Sequence, residues 1–175
     1  MASDTEILAD GRTFTLTAPI PREHLSTTMW DWFQAYWRLM VNDPMPQTRN
    51  GIAALIESNV AKGGKSYFAR DDNKQPVGAV WGRASEDNIH IAHFVFAPHQ
   101  LRREAKLAIT KAALRQYFAA GARKLVWGVY PENRSCLTFL ELLGAHVEGT
   151  LRQETRRDGQ LMDVVLLGLF PEELR

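Results

Sequence analysis

The sequence predicts a single domain of the α/β (α+β) class: a mixed central sheet with helices packed on it, in the order β-α-α-β-β-β-α-β-α-β-β. Three observations predict it. Stretches with period-two alternation and stretches with helical spacing are interleaved along the chain. Strand-like Asn88–Ala97, helix-like Arg102–Ala120 and strand-like Arg123–Tyr130 follow one another, an order that makes a right-handed parallel crossover. The 175 residues show no internal repeat, low-complexity tract or long linker, and that length suits one core.

Each element has its own signal. Arg12–Ala18 alternates apolar and polar residues, as a strand does. Pro21 opens a helix in the position where its missing N–H does no harm. Its apolar stripe is Leu25, Met29, Trp30, Phe33, Trp37, Met40 and Val41, with Trp32 and Tyr36 off the stripe. The run Asn42-Asp43-Pro44-Met45-Pro46 breaks it. A second helix runs from Thr48 to Lys62 with Ile52, Leu55, Ile56 and Val60 facing inward, and Gly63-Gly64 stops it. Lys65–Arg70 and Pro76–Ala84 form a hairpin around Asp71–Gln75. Pro98 ends the next strand. The helix Arg102–Ala120 turns Ala105, Ala108, Ile109, Ala112, Leu114 and Phe118 inward and is capped by Gly121. A short helix over Asn133–Leu143, stopped by Gly144, precedes a closing hairpin of His146–Arg156 and Gln160–Phe170.

Composition excludes several classes. Hydrophobic residues are 45% and charged residues 23%, with a formal charge of +1. That balance gives no bulk attraction to nucleic acid or an anionic membrane. No apolar run approaches the roughly 20 residues of a membrane span. The acidic start Met1–Glu6 is unlike a signal peptide. The single cysteine, Cys136, excludes an intrachain disulfide, and with the rest points to a cytoplasmic protein. His90 and His93 lie three apart in a strand, on opposite faces, and make a poor metal pair; no metal site is expected. A homodimer is left open.

The second half carries a resemblance. Asn133 is followed three positions on by the small Cys136. Gly144, Glu148-Gly149 and Leu151-Arg152 come next, then Gly159, Asp163 and Leu166-Leu167. Together with Pro98 and the basic helix start, these resemble the GNAT superfamily of acyl-CoA-dependent N-acyltransferases, and within it the RimJ/RimL-type branch. The likeness covers about residues 88–170; the first helices match only in order and length. It implies a GNAT-like fold, acetyl-CoA as cofactor, and a primary amine as acceptor, either a peptide or protein N-terminus or a small molecule. In that family the backbone corresponding to Phe94, Val95 and Phe96 pairs with the pantetheine arm. Amides at the next helix start, here around Arg102, Arg103, Ala105 and Lys106, take the pyrophosphate. Asn133 lines the thiol end.

The chain also departs from the family. The pyrophosphate loop normally reads Q/R-x-x-G-x-G/A; Arg102-Arg103-Glu104-Ala105-Lys106-Leu107 has no glycine, and Glu104 adds a negative charge. The usual helix tyrosine falls at Leu140, and the branch's serine at Cys136, a weaker donor. A catalytically silent binding module of the same fold is therefore the alternative.

On this resemblance the catalytic candidates are His93 as base, Cys136 as donor to the leaving thiolate and Glu148 as base or amine anchor. Trp32, Tyr36 and Asp163 are candidates for the acceptor. Each has a plainer reading: Asn133 as a helix N-cap, Cys136 as a small buried side chain, His93 as a satisfied histidine, Glu148 and Asp163 as paired carboxylates. For Arg102, Arg103 and Lys106 the plainer reading is a solvated helix start, and for Arg156-Arg157 a charged hairpin tip.

Overall fold

A computed structural model describes residues 4–36 and 48–175. Its centre is one eight-stranded mixed sheet in sequence order except at the end, β1-β2-β3-β4-β5-β6-β8-β7. The strands are β1 (Thr5–Ala9), β2 (Arg12–Thr17), β3 (Lys65–Asp71), β4 (Pro76–Ala84), β5 (Ile89–Phe96), β6 (Lys124–Val129), β7 (His146–Arg157) and β8 (Gln160–Leu169). The helices are α1 (Arg22–Leu25), α2 (Thr28–Tyr36), α3 (Arg49–Ala61), α4 (Arg103–Ala119) and α5 (Arg134–Leu143). Among the described residues, no helix is long and apolar enough to cross a membrane.

Two apolar layers fix the helices to the sheet. One face, carrying Val80, Ala92, Phe96, Leu125, Trp127 and Leu167, packs on α4 and α5. The other, carrying Phe68, Ala79, Trp81 and Val95, packs on α2 and α3. Strand alternation creates these two faces, because successive side chains point to opposite sides. The expected parallel crossover is present: β5 and β6 pair in parallel, with α4 between them in sequence.

Three expectations change. An additional strand, β1, pairs antiparallel with β2 across Asp10-Gly11, both at positive φ. Asp-Gly suits a two-residue hairpin turn because both residues accept left-handed backbone. The first helix is interrupted at Ser26–Thr27, where the Thr27 hydroxyl donates back to the Glu23 carbonyl at 2.7 Å, a bond that competes with helix continuation. The apolar face stays in phase with Leu25: Met29, Trp32 and Phe33 are buried, while Trp30, about 140° around from Leu25, is only partly covered. On α4 the buried face is Ala105, Ile109, Thr110, Ala113, Leu114 and Tyr117; Ala108, Ala112 and Phe118 flank it. Trp37, Met40, Val41 and the predicted break at Asn42–Pro46 lie outside the described residues.

Candidate active site

The site begins where the sheet parts. β5 and β6 pair only through Ile89–Lys124, His90–Leu125 and Ile91–Val126. Beyond Ile91, β5 continues on β4 alone and β6 on β8 alone. The backbone direction of β5 follows from two hydrogen bonds to the β4 side: Ala97 N–H donates to Val77 C=O at 3.0 Å, and Ser85 N–H to Ile89 C=O at 2.7 Å. Odd-numbered residues of β5 therefore present their amides to β4. By alternation, Ala92, Phe94 and Phe96 present theirs to the gap. On the helix side, the rings of Phe94, Phe96 and Phe139 line it, with Phe94 and Phe139 centroids 5.0 Å apart. Val95 is buried on the opposite face among α2 and α3 residues.

At the mouth of the gap stands the N-terminus of the 17-residue α4. Its N-cap, Arg102, supplies no side-chain acceptor, and the helix's own bonding begins with Lys106 N–H to Arg102 C=O. The first-turn amides are thus left without a side-chain cap, at the positive end of the helix dipole. At the first missing glycine position the Ala105 methyl points into the core, and the residue is 1% exposed. Glu104 lies on the β1 side of α4. It lines a groove against β1 with Leu107, Ala108 and Lys111. Lys106 sits about 200° around the helix from it, with its ammonium 5.8 Å from the Phe96 ring. Arg102 is drawn off toward β1–β2, 3.3 Å from Asp10. Arg103 is exposed.

The other wall is the start of α5. Asn133 is its N-cap: Oδ1 accepts from Cys136 N–H at 3.2 Å. Gly144 closes the helix in the left-handed region at φ 102°, where a side chain would be strained. Cys136 is half-buried, and burial pushes its thiol up to about 11. It is therefore a protonated S–H at neutral pH.

Across the sheet, His93 is the second residue of β5 past the last β5–β6 pair. It faces the α2/α3 side, opposite Trp81 in register, with the two rings stacked at 5.4 Å. His90 points the other way and packs edge-on against Tyr117, as the three-residue spacing requires. Desolvation by the surrounding protein, and secondarily the Arg83 charge, lower the His93 pKa to about 4. The residue is nevertheless exposed, and solvent there offsets part of the desolvation.

Three candidate residues take other roles. Glu148 is bound to Lys124, whose ammonium donates to Oε2 at 2.7 Å. Lys124 opens β6 and Asn133 follows its far end, about 20 Å away by strand rise. Glu148 is thus the paired carboxylate and lies apart from Asn133 and Cys136. Asp163 Oδ1 accepts from Gln153 N–H at 2.8 Å across β7–β8, where the register shifts; it secures a bulge. Trp32 is 5% exposed, in the core beside Phe68, so it offers little surface to an acceptor. Tyr36 is half-buried at the end of α2.

Sequence reasoning missed the contact at the hairpin tip. Arg157 does not project into solvent. Its guanidinium lies 4.5 Å from the centroid of the buried Tyr130 ring and bonds Glu132, the residue before Asn133. The signal was available only as a charge and an aromatic separated by 27 positions. Two grooves, of about 310 and 570 Å³, lie along the far side of α4; neither includes His93, Asn133 or Cys136.

No family model and no curated protein matches the chain. Solved structures do. Mycobacterium smegmatis RimJ, in complex with CoA-disulfide, superposes with a TM-score of 0.78 at 16% identity, over 98% of this chain and 88% of that one. Spermidine N-acetyltransferase from Vibrio cholerae, in complex with CoA and spermine, gives 0.77 at 17% identity, over 91% and 96%. The fold is therefore that of the GNAT acetyltransferases.

Proposed function

We propose that this protein is an acetyl-CoA-dependent N-acetyltransferase that acts on a primary amine. The observation that carries this is the fork between β5 and β6, with its open backbone edge at Ala92, Phe94 and Phe96. An extended amide-bearing arm can pair along that edge as a strand does. The residues present suit such a cofactor. The uncapped α4 start, with Arg103 and Lys106, offers amides and cations to a diphosphate. The Asn133-capped α5 start borders the inner end.

Bound there, the thioester supplies the acetyl group. The amine nitrogen forms the new bond to the carbonyl carbon as the carbon–sulfur bond breaks. The neutral His93 ring, exposed on β5, takes the departing amine proton through a water. The Cys136 S–H offers a proton to the leaving sulfur. Both fork-facing amides and the α5 N-terminus can polarise the carbonyl.

The surroundings of His93 favour an acceptor that is not a polycation. Arg83 lies on the same face, diagonal to His93 in the β4–β5 register, within reach of a long side chain. Glu148, the carboxylate on that side of β6, is neutralised by Lys124. A peptide N-terminus or a small uncharged or acidic amine meets less repulsion there than spermidine does.

Calorimetric titration with acetyl-CoA, followed by chromatographic detection of acetylated product over a panel of peptides and small amines, tests the reading. Saturable binding and cofactor-dependent product are expected. Absence of binding at millimolar acetyl-CoA would reject it. Binding without turnover over the panel would favour the silent module that the glycine-free α4 start motivates.

A further inference from the structure

The β7–β8 hairpin is built to reach the active-site turn. Its register shifts between Val147 and Gly149 and again between Leu151 and Thr155. Gln153 sits at φ 53°, with its N–H held by Asp163. Such bulges bend a ribbon and raise its twist. The tip is tied by Arg156 Nη1 donating to Gly159 C=O at 2.8 Å. Next to it, Arg157 Nη2 donates to Glu132 Oε1 at 2.5 Å, and the guanidinium covers Tyr130.

Tyr130 and Glu132 belong to the turn that carries Asn133. Asn133 N–H donates to Tyr130 C=O and Arg134 N–H to Glu132 C=O, both at 2.9 Å. Asn133 then caps α5 through Cys136. A continuous set of contacts runs from the hairpin tip to the backbone N–H of Cys136. The Glu132 carboxyl is held below its ordinary range, first by its own backbone N–H and then by the Arg157 bond and charge, against some desolvation. Arg157 is 27% exposed and its partner 45%, so this is a partly covered, oriented contact rather than a free surface pair. The hairpin does not need it: β7 and β8 hold each other along most of their length.

We propose that Arg157 is a positioning residue. Acting through Glu132 and Tyr130, it fixes the β6–α5 turn and so the placement of Asn133 and Cys136. Its catalytic consequence rests on the acetyltransferase reading; its structural consequence does not.

Cys136, the single cysteine, reports the structural arm directly. N-ethylmaleimide is expected to label it slowly in the parent protein, because it is half-buried with a raised pKa. Arg157→Ala and Glu132→Gln are expected to label roughly tenfold faster through local opening. Their melting temperatures should stay within about 3 °C of the parent. Arg157→Lys keeps the charge but loses the planar fork and ring contact, and should fall between. The charge-swapped pair Glu132→Arg with Arg157→Glu should return labelling toward the parent rate. In the activity arm, kcat should fall roughly tenfold in Arg157→Ala with the KM for acetyl-CoA little changed. Parental labelling in both Arg157→Ala and Arg157→Lys overturns the proposal. So does faster labelling that only tracks a large loss of melting temperature and is not rescued by the swap. If acetylation is never detected, the labelling results still decide.

Discussion

Trp81 and His93 face each other across β4 and β5 with their rings stacked 22° from parallel, so the indole sets the plane in which the imidazole meets the cleft. His93→Gln is expected to lower kcat roughly 100-fold, the scale of general-base loss, and to leave acetyl-CoA affinity nearly unchanged. A calorimetric Kd beside steady-state rates checks both halves.

The same residue sets the acid side of the pH profile. Burial, and then the Arg83 charge, lower the His93 pKa, so with His93 as the proposed base the acid limb of the profile should lie below the ordinary imidazole value of about 6.5. An acid limb in kcat/KM centred at the ordinary imidazole value, about 6.5, would remove His93 as the base.

Charge at the α4 start divides by side. Lys106→Ala should weaken acetyl-CoA binding roughly tenfold, less so at high salt. Glu104→Gln should change it little, because Glu104 lines the β1 groove. Titrations at two ionic strengths distinguish the variants; a strong gain from Glu104→Gln would mean that its charge does act at the anion site.

Asn133→Ala removes the α5 cap and should cost about 1 kcal/mol in urea unfolding, with a larger loss of kcat. Asn133→Ser, which retains a cap acceptor, should recover the stability and only part of the rate.

Stability should also depend on pH. His24, His90 and His93 all have lowered pKa values, each chiefly by burial. The unfolded chain then binds more protons than the folded one below about 6.5. Their stabilising contribution is complete above that pH and is lost as pH falls toward the folded values. Urea midpoints should drop between pH 7.5 and 5. His90→Phe, which removes a buried Nδ1 without a hydrogen-bond partner, should flatten the drop.

Much of the architecture was legible because apolar periodicity and stop signals are local. Gly121 and Gly144 do end α4 and α5, and Asn133 does cap its helix. The Asp10-Gly11 turn that joins β1 to β2 is equally local. Trp32 rather than Trp30 is buried, in line with a uniform turn of about 100° per residue from Leu25, which puts Trp32 about 20° and Trp30 about 140° from it. The site divides in the same way. Strand alternation alone sets Phe94 and His93 on opposite faces of β5. Glu148, Asp163 and Arg157 depend on partners far along the chain, and no local pattern specifies those.

A sheet that forks halfway is two half-sheets joined along a short seam at Ile89–Ile91. Whatever lies in the fork works as mortar between them. Occupancy should therefore be felt well away from the ligand, as slower hydrogen exchange at Phe94 and Phe96 and a later melt of the β6–β8–β7 half, even for a dead-end analogue that undergoes no chemistry.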